Sequence, residues 1–124
     1  MSTTDATELR EQIQTIISSE PVSLFMKGTP QLIMCGNSDR ALRALQAAGA
    51  PVTAVYVLPD PQIRQELSAI SGWPTIPQIF IDGELIGGAD ILEELAATGE
   101  LRQRLDAALG DERNATVKVA AVTS

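Results

Sequence analysis

Cys35 is the one cysteine in the chain, and there is no histidine anywhere. Cys-His and Ser-His-Asp nucleophilic schemes, and histidine-ligated metals, are therefore excluded within a single chain. One thiol cannot form an intrachain disulfide or close a multi-cysteine metal site. Any chemistry at Cys35 must borrow a second sulfur from outside. The position favours a reactive thiol: it follows the loop signal Gly28-Thr29-Pro30 and stands at the expected start of a helix. Free backbone N–H groups and the helix dipole favour the thiolate there. The competing use of a lone cysteine is as a small buried hydrophobe. The turn-forming flank and Gly36, which permits close backbone approach, tip the balance to chemistry. Ser38 stands where a resolving cysteine would complete a C-x-x-C motif. Its hydroxyl can donate a hydrogen bond or cap the helix, but cannot form a disulfide.

Three further features bear on what such a thiolate would meet. In Trp73-Pro74-Thr75-Ile76-Pro77 a proline heads a strand, where it need not donate to the ladder. An ordinary trans entry is one reading. A cis Ile76–Pro77 bond would instead turn the Ile76 N–H and C=O outward, available to an extended peptide. Gly87-Gly88-Ala89-Asp90 precedes a helix and could bring backbone amides to a carboxylate, or it is a flexible junction with Asp90 as N-cap. Lys27 and Arg64, taken singly, read as solvated charges.

The elements that must position these residues follow from local patterning. Leu9, Ile13, Ile16 and Ile17 recur at helical spacing behind Asp5 and Glu8. Val22 to Met26 reads as a buried strand. A second helix runs from about Cys35 to Ala48, with Gly49 as its stop. Val52 to Leu58 is a strand, and Asp60-Pro61 opens a third helix that ends by Gly72. Pro77 to Ile81 and Glu84 to Ile86 form a hairpin across Asp82-Gly83. Asp90 with Glu93 opens a fourth helix, Gly99 interrupts it, and Leu101, Leu105 and Leu109 mark a last one. The order α-β-α-β-α-β-β-α-α predicts one α/β domain over residues 1–109. It has a mixed four-stranded sheet with helices on both faces and two parallel strands joined through a helix. Residues 110–124 lose the period and read as a mobile tail.

Composition narrows the function classes. The 124 residues carry 9 basic against 16 acidic side chains, for a formal net charge of −7, and counterion-release binding of nucleic acid needs a basic face. No stretch approaches the roughly 20 apolar residues of a membrane span. The polar start, Met1 to Thr7, does not read as a secretion signal. The expected location is the cytoplasm.

Taken together, Met26-Lys27-Gly28-Thr29-Pro30, Met34-Cys35-Gly36 with Ser38, Trp73-Pro74-Thr75-Ile76-Pro77-Gln78 and Asp82-Gly83-Glu84-Leu85-Ile86-Gly87-Gly88 with Asp90 resemble the monothiol glutaredoxins of C-G-F-S type. The likeness runs from roughly residue 5 to residue 109. It implies a thioredoxin-like fold and glutathione as ligand. Lys27 and Arg64 would hold the glycine carboxylate, the Ile76 backbone before a cis Pro77 would pair with the cysteine residue, and Gly88 and Asp90 would receive the γ-glutamyl end. It also implies a [2Fe–2S] cluster shared between two protomers. Such a cluster commonly wants four thiolates, which two Cys35 thiolates and two glutathione thiols would supply. A homodimer in the cluster-bound state, BolA-like proteins and iron–sulfur clients are the implied partners.

The chain departs from that pattern at three places. Asn37 replaces the aromatic of C-G-F-S, Leu32-Ile33 stands where Phe-Pro is common, and Ala89 occupies a position often held by a second cysteine. These changes bear on the cluster and the dimer more than on fold or glutathione. Three functions follow as expectations: an iron–sulfur carrier, a glutathione-dependent oxidoreductase working through a Cys35–glutathione mixed disulfide, or a degenerate domain kept for protein binding. The first is favoured.

Overall fold

The structure is a computed structural model that describes residues 6–29, 32–33, 35–57, 60–110, 116–120 and 122. Helix α1 (Ala6–Ser19) buries Leu9, Ile13 and Ile17, the stripe expected from its spacing. Strand β1 (Val22–Met26) follows and is buried along its whole length, as a central strand covered on both faces must be. Short strands β2 (Gly28–Thr29) and β3 (Leu32–Ile33) pair with each other in a separate two-stranded ladder. Then come α2 (Gly36–Ala47), β4 (Val52–Tyr56), α3 (Pro61–Ser71), β5 (Gln78–Ile81), β6 (Glu84–Gly87), α4 (Ala89–Thr98), α5 (Glu100–Leu109) and β7 (Val117–Ala120).

The main sheet has the order β6-β5-β1-β4-β7. β1 and β4 are parallel, joined through α2, while β5 runs antiparallel beside β1 and β6 antiparallel beside β5. Side chains of β1 alternate between two cores, as the strand pleat requires. Val22, Leu24 and Met26 pack with α2, α4 and α5, whereas Phe25 faces α1 and α3. On that second face Phe25 meets Phe80 edge-on, with ring centroids 5.7 Å apart and planes at 81°. This is the thioredoxin-like arrangement the resemblance implies.

The sheet has five strands where four were expected. The extra one, β7, falls in the segment read as tail and pairs in parallel with β4, from Val52 opposite Val117 to Val55 opposite Ala120. Its four residues lie at an edge and are only partly covered, so no buried stripe announced it. Lys118 anchors it to Glu20 at 2.7 Å, and Glu20 also accepts from the Thr53 hydroxyl at 2.6 Å. Both contacts hold the Glu20 carboxyl below its ordinary range. Val122, just beyond, is buried in the α1–α3 core.

Antiparallel pairing of β1 and β5 sets Phe25 opposite Gln78. The C-terminal end of β1, the N-terminal end of β5 and the C-terminal end of β6 therefore share one end of the sheet. α2 and α4 both begin there. A chain cut after Gly110 should lose stability by at least the roughly 1.5–3 kcal/mol that one buried valine contributes. This is read as a lower thermal midpoint, with Cys35 alkylation unchanged. An unaltered midpoint would show that β7 and Val122 add nothing.

Candidate functional site

Cys35 is the N-cap of α2, in an extended conformation (φ −154°, ψ 129°), and its carbonyl accepts the Asp39 N–H at 3.1 Å. Partial burial pushes the thiol up. That is outweighed by hydrogen bonds from the backbone N–H groups of Ser38 and Asn37, by the Ser38 hydroxyl and by the charge of Lys27, which together hold Cys35 below the ordinary thiol value. Ser38 is fully buried, and its Oγ also accepts the Lys27 N–H at 3.1 Å. Of the two roles open to Ser38, the structure gives it the hydrogen bond to sulfur rather than the helix cap.

Beside the thiol lies a cavity of about 290 Å³ whose lining includes Lys27, Arg64, Ile76, Pro77, Gly88 and Asp90, together with Asn37 and Trp73. The six expected positions besides Cys35 thus converge from four places in the chain. Cys35 itself is not part of the lining; it adjoins Lys27 and Asn37, which are. The Ile76–Pro77 bond is cis. The loop before it is held by hydrogen bonds that sequence reasoning missed. Buried Gln78 donates through Nε2 to the Trp73 carbonyl at 3.0 Å, the Trp73 N–H donates to Ser71 Oγ at 3.0 Å, and Arg64 Nη2 donates to the Pro74 carbonyl at 3.2 Å. Arg64 in turn stands on α3, whose N-cap Asp60 accepts the Gln62 N–H at 2.9 Å.

On the α4 side, Gly87 takes φ +130°, and a Cβ there would come within 2.8 Å of Ile91 Cδ1. The positive φ favours glycine at this position, while the close contact is with the tip of a flexible side chain that could shift. Gly88, not Asp90, is the helix N-cap. Asp90 was read as opening the helix, but the extended Gly88 starts it first. The aspartate is left at the second helical position, within the first turn, with its side chain 90% exposed.

Charge is distributed unevenly around this cavity. Arg10, Arg40, Arg43, Arg104 and Lys118 all hold carboxylates. Among the described residues neither Lys27 nor Arg64 has one within ion-pair distance. In a chain of net charge −7, two cations without a carboxylate partner lining one cavity suit it electrostatically to an anion.

Arg40 was not foreseen. It donates from Nη1 to Asn37 Oδ1 at 3.0 Å, from Nη2 to Asp90 Oδ1 at 2.8 Å and from Nε to Glu93 Oε2 at 3.1 Å, and Nη2 also meets Glu93 Oε1. Its i,i+3 spacing from Asn37 is visible in the sequence. The pairing of α2 with α4 is not.

A thiol held below its ordinary value, beside a concave site with two cations that face no carboxylate among the described residues and a helix N-terminus, is suited to a short anionic peptide that brings a thiol. Because the folded-state pKa of Cys35 is lowered, the pH midpoint of its alkylation by iodoacetamide should lie below that of the same cysteine in the denatured chain. Ser38→Ala should move that midpoint upward. It should also cost about 1–3 kcal/mol by leaving the Lys27 N–H unpaired. An unmoved midpoint would remove Ser38 from the account.

Comparison with known proteins agrees with this geometry. Residues 22–86 match the family model described as Glutaredoxin. Glutaredoxin 4 of Escherichia coli is 47% identical over 93 residues, which are 75% of this chain and 81% of that protein. The monothiol glutaredoxin-S11 of rice is 46% identical over 97 residues, 78% of this chain, but the match spans only 20% of that longer protein. Among solved structures, reduced apo GrxS14 of poplar superposes with a TM-score of 0.73 at 39% identity, covering 81% of this chain and 92% of that one. With its single cysteine at the head of α2, this chain belongs to the glutaredoxin family, among the monothiol glutaredoxins.

Proposed function

We propose that the chain binds glutathione beside Cys35 and, as a homodimer, carries a [2Fe–2S] cluster for transfer to other proteins. The observation that carries this reading is the pairing of one favoured thiolate with two uncommitted cations on the adjoining cavity. Glutathione has two carboxylates and a central thiol. Lys27 and Arg64 would take its glycine carboxylate by charge-assisted hydrogen bonds. The Ile76 backbone at Pro77 would pair with its cysteine residue. Gly88 at the head of α4 would receive the γ-glutamyl carboxylate, and Asp90 the ammonium.

The residues present also fit a shared cluster. Among the described residues no group of three or more His, Cys, Asp or Glu side chains could hold a metal, so each chain would contribute Cys35 alone. Among the described residues nothing lies within 4 Å of where a Gly36 Cβ would stand, which suits an approach by a second copy beside Cys35. The cluster is the cargo in this reading, released to client proteins, with BolA-like proteins as heteromeric partners. A lone reduced cysteine fits the cytoplasm, and among the described residues no helix is long and apolar enough to cross a membrane.

A second reading is favoured by the lowered thiol and by exposed Asn37 in place of an aromatic cover. In it the Cys35 thiolate attacks the glutathione sulfur of a glutathionylated protein and expels the client thiolate. A second glutathione thiolate then attacks the mixed disulfide, releasing glutathione disulfide and restoring Cys35.

Anaerobic reconstitution with iron, sulfide and glutathione, followed by absorption spectroscopy and sizing, separates the two. The carrier reading expects a coloured dimer that is lost in Cys35→Ser or without glutathione. A colourless monomer that turns over glutathionylated substrates would establish the enzyme instead. Arg64→Gln should weaken glutathione binding about tenfold or more, the scale of a lost hydrogen bond to a charged group. Asn37→Phe should increase cluster retention, measured as the decay of visible absorbance.

A further inference from the structure

We propose that Arg40 is a specificity-determining residue of the cavity, which competes with the ligand's amino group for Asp90. This rests on the glutathione reading above and deepens it. Four of the five guanidinium N–H groups are engaged, by Asn37 Oδ1, Asp90 Oδ1 and both oxygens of Glu93. Asp90 is the carboxylate expected to meet the ligand's ammonium, and one of its oxygens is already an acceptor for Arg40. An incoming ammonium therefore meets an acid one of whose oxygens already accepts from Arg40, a guanidinium shared between Asp90 and Glu93. The clamp also holds Asn37, two residues from the sulfur, so the polar replacement for the aromatic is tied to the same arginine. An ordinary γ-glutamyl site would gain affinity from the ammonium; this one gains little.

The probes are glutathione and its des-amino analogue, glutaryl-cysteinyl-glycine, which keeps both carboxylates and the thiol and lacks only the ammonium. Dissociation constants are measured by calorimetry at physiological salt. The intact chain should bind the two within about twofold of each other. Arg40→Met should favour glutathione over the analogue by about a further threefold to fivefold, the upper scale of an exposed ion pair. That gain should vanish when Asp90→Asn is added. Arg43→Met removes the same charge from the same helix and should leave the ratio unchanged, since Arg43 pairs with Asp39 away from the cavity.

An unchanged ratio in Arg40→Met, a gain that survives Asp90→Asn, or an equal gain in Arg43→Met would each overturn the competition while leaving glutathione binding intact. Failure of the intact chain to bind either peptide would overturn the glutathione reading, and the competition with it.

Discussion

One buried hydroxyl joins the scaffold to the sulfur. Ser38 Oγ accepts the Lys27 N–H where β1 ends, and the same hydroxyl helps hold the Cys35 thiol below its ordinary value where α2 begins. The group has no access to water, so both contacts replace hydration that folding removed. Through it the end of the central strand, the head of the helix and the thiolate become one unit. Lys27, carried on the same unit, adds its charge to the sulfur's surroundings and its side chain to the cavity. The position that in a two-cysteine motif would supply a redox partner supplies a fixed dipole instead.

The electrostatics follow from what that unit leaves unpaired. An acidic chain could quench every cation with a surface carboxylate, and most of its arginines are so quenched. Lys27 and Arg64 are the exceptions that line the cavity. Arg64 is held by a carbonyl rather than an acid, which fixes its direction without cancelling its charge. Asp90 is the reverse case: an acid at the same cavity whose charge is already met by Arg40. Arg40 is itself shared between Asp90 and Glu93, so the acids gather at the α4 side of the cavity while Lys27 and Arg64 face no carboxylate among the described residues.

Features governed by local backbone chemistry were legible in the sequence. Asp60-Pro61 caps α3, and Gly49 and Gly72 end their helices. Asp82 and Gly83 both take positive φ in the hairpin turn. The stripe of α1 and the break at Gly99 belong to the same class. What escaped depends on distant chain. The isomer at Pro77 was left open because local residues do not decide it. The β2–β3 ladder has two residues a side, too few for a period. Strand β7 lies at an edge, and its pattern carries no buried stripe. The Arg40 clamp joins residues 50 and 53 positions apart, which no helical spacing rule reaches. Asp90 was misplaced because an extended glycine can begin a helix as well as an acid can.

The β5–β6 hairpin carries Pro77 just before its first strand and Gly88 just after its second, and the Pro77 carbonyl lies 3.5 Å from where a Gly88 Cβ would stand. Its ladder contains a register shift between Ile79 and Phe80, beyond which Ile79 faces Gly87. The hairpin therefore works as a calliper: its residue count sets the distance between the two jaws of the cavity. A residue inserted in either strand would slide one jaw past the other and turn inward side chains outward. Length is constrained here even where side-chain identity is not, so this hairpin should be among the segments of the fold least tolerant of insertion.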